Sequence, residues 1–277
     1  MTNYVKTFAL MALMTALLMG VAGWLGGRSA MLWALAFGAA FNVGTYWFSD
    51  RLVLRMYRAR ILERAAAPDL FDMVDRLRQR AGLPMPTLAV SASPQPNAFA
   101  TGRDPRHAVV CVTQGILSVA DREELAGIIA HELAHIRNRD MLIGTVAATL
   151  SAAIVMLARF GFWFGGDRDR GGAIGGLLML ILAPLAAMLI QMAISRAGEY
   201  RADRVGAQIS GRPRDLARAL GKLEAAARRT PMQVSPSAAH LCIVNPLRAG
   251  GLTSLFRTHP PTEERIRRLE ELARAGV

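Results

Sequence analysis

Apolar residues in this sequence collect in four long tracts, Thr7 to Gly27, Ala30 to Phe48, Met141 to Phe164 and Ala173 to Ile194, with polar stretches between them. About 20 apolar residues at ~1.5 Å rise cover the ~30 Å hydrocarbon core of a bilayer, whereas about 10 to 14 suffice for a buried helix of a soluble domain. Each tract therefore predicts a transmembrane helix. Arg159 lies near one end of the third, where it can snorkel to the interface. Pro184 and Gln191 interrupt the fourth, and a proline is tolerated where neighbouring helices satisfy the freed carbonyl. Only Gly27-Arg28-Ser29 separates the first two tracts, which read as a helical hairpin rather than as the shorter apolar core of a cleaved signal peptide.

The chain thus divides into a hairpin at 1–48 (spans 7–27 and 30–48), a polar region at 49–140, a second hairpin at 141–194 (spans 141–164 and 173–194) and a second polar region at 195–277. Neither polar region is large enough for a comfortable core of its own, and a hairpin between them returns the chain to the same side, so they are expected to fold together. Within the first, Leu70, Met73, Val74 and Leu77 have helical spacing over 69–81, and Gly82, Pro84 and Pro86 end that helix. Residues 87–90 and 107–112 read as short strands of a small sheet, separated by turn-rich stretches at 93–96 and 102–105. Asp121 with Glu124 three residues later is a capping box that opens a helix running to about Arg137.

The net charge of +12 raises the question of nucleic acid. Its placement answers differently. Arg51, Arg55, Arg58, Arg60 and Arg64 follow the second tract directly, most other basic residues lie in the polar regions, and the turn at Arg28 and the loop 165–172 are nearly neutral. The positive-inside tendency then puts both termini and both polar regions in the cytoplasm. No basic motif interleaved with aromatics accompanies the charge, so no nucleic-acid partner is expected. Cys111 and Cys242 lack the spacing of a structural zinc site and are expected to be free thiols in a reducing compartment.

Helix 121–137 carries His131-Glu132-Leu133-Ala134-His135. Residues four apart on a helix are about 40° apart in projection, so both imidazoles face one side and can grip one metal ion. Neutral imidazole suits zinc, and the intervening Glu132 is placed to act as general base on water. A catalytic zinc needs a third protein ligand. Glu199 and Asp203, again four apart and just beyond the fourth tract, are candidates: one carboxylate to bind the metal, the other to accept a hydrogen bond from a ligand histidine.

Taken together these segments resemble the gluzincin metallopeptidases, and more narrowly the HtpX-type integral-membrane proteases, relatives of the CAAX prenyl endopeptidases and the mitochondrial Oma-type proteases. The resemblance covers the N-terminal hairpin, Pro96 to Gly102, Glu124 to His135, Ser195 to Asp203 and Thr258 to Ile266. It implies an α+β, predominantly helical membrane protein with four transmembrane helices and a minimal, thermolysin-like catalytic domain. It also implies His131, His135 and Glu199 as ligands of one zinc ion, Glu132 as catalytic base and Asp203 as the partner of a ligand histidine. For the oxyanion, His259 in the His-Pro segment is the first candidate, with Tyr200 or an arginine as the alternative. His107 and His240 are expected to be incidental, and Asn97 to Thr101 to offer an extended edge to the substrate backbone.

The nearness of Asp140 and Glu199 to apolar sequence places the site at the bilayer surface. Membrane proteins or unfolded polypeptides are the expected substrates, and the resemblance implies their quality control at a bacterial inner membrane. Two rival readings are a CAAX-type processing protease, which seven spans would favour over four, and a catalytically silent zinc-containing scaffold, which has no use for Glu132.

Overall fold

The computed structural model describes residues 3–147, 149–150, 196–229, 242–243 and 260–276. The second expected hairpin, almost all of it, and His259 and His240 lie outside the described residues.

The first two tracts form one hydrogen-bonded segment, α1 (Asn3–Met56). It is not a rod. Gly27 takes a left-handed φ of 67°, and beyond it the chain runs back along itself: Asn42 donates to the Met11 carbonyl and to Thr15 Oγ1. In a straight helix residues 15 and 42 would stand about 40 Å apart. Leu10, Met11 and Met14 of the first arm pack with Phe41 and Tyr46 of the second and with Leu142, Val146, Ala147 and Leu150, so the start of the third tract joins the same bundle. Among the described residues no helix is long and apolar enough to cross a membrane.

Beyond α1 the fold is α+β, as expected. A four-stranded mixed sheet has the order β1-β2-β4-β3, with β1 (Ala59–Ile61), β2 (Thr87–Ser91), β3 (Ala98–Thr101) and β4 (Val109–Thr113). β2 and β4 are parallel, while β1 and β3 pair antiparallel at the two edges. The expected second strand starts two residues late, because Asp104 accepts from the backbone N–H groups of Arg106 and His107 and winds 105–107 into a turn of 3₁₀ helix.

α2 (Pro68–Ala81) covers the sheet with Met73, Val74, Leu77 and Ala81, and stops at Gly82, whose φ of 67° closes the left-handed cap. α3 (Gln114–Val119) leads to α4 (Arg122–Asn138), the central helix, which opens on the Asp121–Glu124 capping box. Ile128, Ile129, Ala130, Leu133 and Ala134 of α4 are fully buried in the main core. Three further helices close around it: α5 (Arg196–Ser210), α6 (Pro213–Arg229) and α7 (Thr262–Arg274).

Two glycines set how closely these helices approach α4. A Cβ on Gly206 of α5 would lie 2.9 Å from His131 Cα and N, and one on Gly127 of α4 would lie 3.0 Å from Leu216 N of α6. Helix axes ordinarily stand 8–10 Å apart according to the side chains between them, and at these two points a glycine leaves no room for one. The α5 crossing therefore falls on His131 itself.

Candidate metal centre

His131 and His135 emerge from one face of α4 with their Nε2 atoms 3.1 Å apart. α5, drawn against α4 at Gly206, brings Glu199 and Asp203, and both are buried. Glu199 Oε1 lies 3.5 Å from His135 Nε2, and Oε2 lies 3.8 Å from His131 Nε2. One donor atom from each of His131, His135 and Glu199 falls within a group no wider than 4.8 Å. Ligand atoms at ~2.0–2.1 Å around a tetrahedral zinc ion stand about 3.3 Å from each other, so the three residues fit such an ion.

The far nitrogen of each imidazole faces a carboxylate. His131 Nδ1 is 3.0 Å from Asp203 Oδ1, and His135 Nδ1 is 3.3 Å from Asp140 Oδ2. A proton held on Nδ1 leaves the Nε2 lone pair for a cation, which is how ligand histidines are commonly fixed. The spacing of Glu199 and Asp203 pointed to one such partner without deciding which residue it was; Asp140 was not foreseen. It reaches His135 because Arg139, at φ 59°, adopts the left-handed conformation at the helix end and turns the chain back, with Asp140 N donating to the His135 carbonyl. A non-glycine residue in that conformation costs roughly 1–2 kcal/mol.

Arg265, from the first turn of α7, was also not singled out by sequence. It is fully buried and grips Asp203 through two hydrogen bonds, Nε to Oδ2 at 2.8 Å and Nη2 to Oδ1 at 2.7 Å. Three carboxylates (Glu132, Glu199, Asp203) thus share a buried site with one guanidinium and two imidazoles. With both imidazoles neutral, the two remaining negative charges match a divalent cation, and buried charge without such compensation is costly.

These neighbours set the local acidities. Burial raises Glu132 to about 7; His135 opposes this, Glu199 reinforces it, and the Ala100 backbone N–H and Arg265 oppose it. Burial disfavours a charged His135, but Asp140, Glu199 and Glu132 outweigh it and hold the ring at about 9. Burial lowers His131 against the pull of Asp203. Asp203, despite its burial, is held near 2 by Arg265 and His131. Ligand histidines must be neutral to bind metal, so a cation at this site competes with the proton on His135.

Glu132 sits between the metal cluster and the sheet edge, accepting a hydrogen bond from the Ala100 N–H of β3. Thr101, next along β3, contacts Thr145 across 3.1 Å between hydroxyls, which ties the strand to helical residues 141–147. Of the oxyanion candidates, Tyr200 lies under the Arg268 guanidinium, 3.7 Å from the ring centre, and His259 is not among the described residues. His107, at the surface beside Asp104, takes no part in the site. Cys111 and Cys242 are buried and form no disulfide, as expected, and Cys242 Sγ lies 3.7 Å from the Tyr57 hydroxyl.

A His-Glu-x-x-His helix crossed by a second helix that supplies a glutamate, beside a small mixed sheet, defines a metallopeptidase. The description "Peptidase family M48" matches residues 64–273, and the chain belongs to that family; it is a metalloprotease, a hydrolase of peptide bonds. Protease HtpX homologs of Gemmatimonas aurantiaca and Salinibacter ruber are 54% and 56% identical to it, the first over 98% of this chain and 99% of its own length, the second over 98% of each. The crystal structure of S. mikatae Ste24p superimposes with a TM-score of 0.54 at 17% identity, over 97% of this chain and 65% of that one, a likeness of fold.

Proposed function

We propose that the protein is a zinc-dependent endopeptidase held in a membrane, acting on membrane proteins or unfolded polypeptides in their quality control. The observation that carries the proposal is the convergence of one donor atom each from His131, His135 and Glu199 within 4.8 Å, with the carboxylate of Glu132 beside them. His131, His135 and Glu199 hold the ion. Asp203 and Asp140 keep the imidazole protons on Nδ1. When bound, zinc supplies Lewis acidity that polarises a carbonyl and makes water nucleophilic near neutral pH.

Glu132 then acts as general base. Beside the metal ligands, its carboxylate can take a proton from water and return it to the departing amine. Its hydrogen bond to Ala100 holds it against β3, which among the described residues is an edge strand, buried at all four positions; pairing of an extended substrate along that edge would need it uncovered. His259 remains the first candidate for stabilising the oxyanion.

The membrane reading rests on the four apolar tracts and on the outward face of the α1 hairpin, where Phe8, Leu32, Trp33, Phe37, Val43 and Trp47 are exposed. The lipid bilayer is thus a partner, with the site and both termini on the cytoplasmic side by the placement of arginines. A detergent-purified Glu132→Ala protein is expected to keep its zinc and to cleave an unfolded substrate at least ~100-fold more slowly than wild type. Equal cleavage would overturn the assignment.

A further inference from the structure

Arg265 is 1% exposed, and its Nε, Nη1 and Nη2 all face buried groups, most of them in the metal centre. Beyond its two bonds to Asp203, Nη1 donates to the Ile243 carbonyl at 2.9 Å. The outer edge of the guanidinium faces two ligands: Nη2 lies 3.4 Å from His131 Nε2, and Nη1 lies 3.7 Å from Glu199 Oε2. A planar group with five donors in a fixed fork can face Asp203, His131 and Glu199 at once, which a lysine ammonium cannot. So placed, it is closed to substrate.

We propose that Arg265 is a positioning residue of the metal centre: its fork fixes Asp203, Asp203 fixes the proton of His131 on Nδ1, and the Nε2 lone pair is thereby kept for the cation. This inference rests on the zinc reading above. Nη2 lies on the Nε2 side of His131, the side that would hold a cation, so the arginine also lines the floor of the cluster. It compensates one of the three buried carboxylates, which leaves the charge that a divalent ion neutralises. The link runs from α7 through α5 to α4, and the final helix of the chain thus reaches the metal ligand through two contacts.

A residue that merely pinned α7 to α5 would, when replaced, lower stability and leave the zinc affinity of the folded protein unchanged. The test uses the full chain in detergent and reads zinc affinity by competition with a chromophoric chelator, with circular dichroism and thermal unfolding of the metal-free protein alongside. Arg265→Met is expected to weaken zinc binding roughly 10- to 100-fold in folded protein, the size of effect known for groups behind metal ligands. Arg265→Lys restores only part of it. Asp203→Asn and the double variant Asp203→Asn with Arg265→Met are expected to bind zinc equally, because both cut the same link.

Wild-type affinity in folded Arg265→Met would overturn the inference. If that variant does not fold, the double variant, which leaves neither charge buried alone, carries the comparison: a further tenfold loss relative to Asp203→Asn alone would overturn the inference, and equality would support it. Wild-type protein that bound no zinc would instead overturn the metal-centre reading itself.

Discussion

The helices around the candidate metal centre and the hairpin of α1 are built differently. Where α4, α5 and α7 meet, polarity is inside: His131, Glu132, Glu199, Asp203 and Arg265 are buried and answer one another. In α1 several large apolar side chains are outside, with Trp33 75% and Phe37 61% exposed, while Leu10, Met11 and Met14 are buried and Thr15 and Asn42 meet between the arms. Large exposed apolar patches mark binding or lipid-facing surfaces, and the membrane proposal rests in part on these exposed side chains. On the membrane proposal each region is ordered for a different solvent, and the contact of Thr101 with Thr145 lies one residue from the strand bond that holds Glu132.

The sharpest way to break this comparison, after loss of the catalytic base, is to charge the hairpin's outer face. Phe37→Asp is expected to cost about 2.5–3.5 kcal/mol of membrane insertion if that face meets lipid. Membrane-fractionated yield reports it; unchanged yield with a protein that stays in the soluble fraction would remove the hairpin from the bilayer. Less drastic is Gly206→Ala, which must push α5 off His131. About 1–3 kcal/mol of destabilisation is expected, with weaker zinc binding, and thermal unfolding with metal titration would show it; a variant unchanged in both would mean that the α4–α5 spacing does not set the ligand geometry.

The smallest effect is one of pH on the metal-free protein. His135, at about 9 when folded against an ordinary 6.5, is charged more readily in the folded state. Its contribution to stability is therefore complete below about pH 6.5 and lost as pH rises through about 9. Unfolding of chelator-treated protein across that window should show the decline, and saturating zinc, which replaces the proton, should remove it. A metal-free protein whose stability rose with pH there would contradict the contacts assigned to His135.

What the sequence made legible was what periodicity and caps announce. Met73, Val74 and Leu77 marked α2, the Asp121–Glu124 pair marked the start of α4, and helical spacing brought His131 to His135 and Glu199 to Asp203. β1 was not legible because its three residues, Ala59 to Ile61, sit in an arginine-rich run and pair at an exposed edge. β3 was legible only as an extended edge, since Ala98 to Thr101 are all buried and show no alternation. Asp140 and Arg265 were silent for another reason. One arrives through a left-handed turn at an arginine, which carries no glycine signal, and the other through the docking of a helix more than a hundred residues from His131.

The central claim, that three side chains from two crossing helices hold one catalytic metal ion, is tested most directly by the zinc content of full-length protein purified without chelator, with Glu199→Ala beside wild type. One zinc per wild-type chain and a large loss in folded Glu199→Ala are expected. Full zinc in that variant, or none in wild type, would contradict the account.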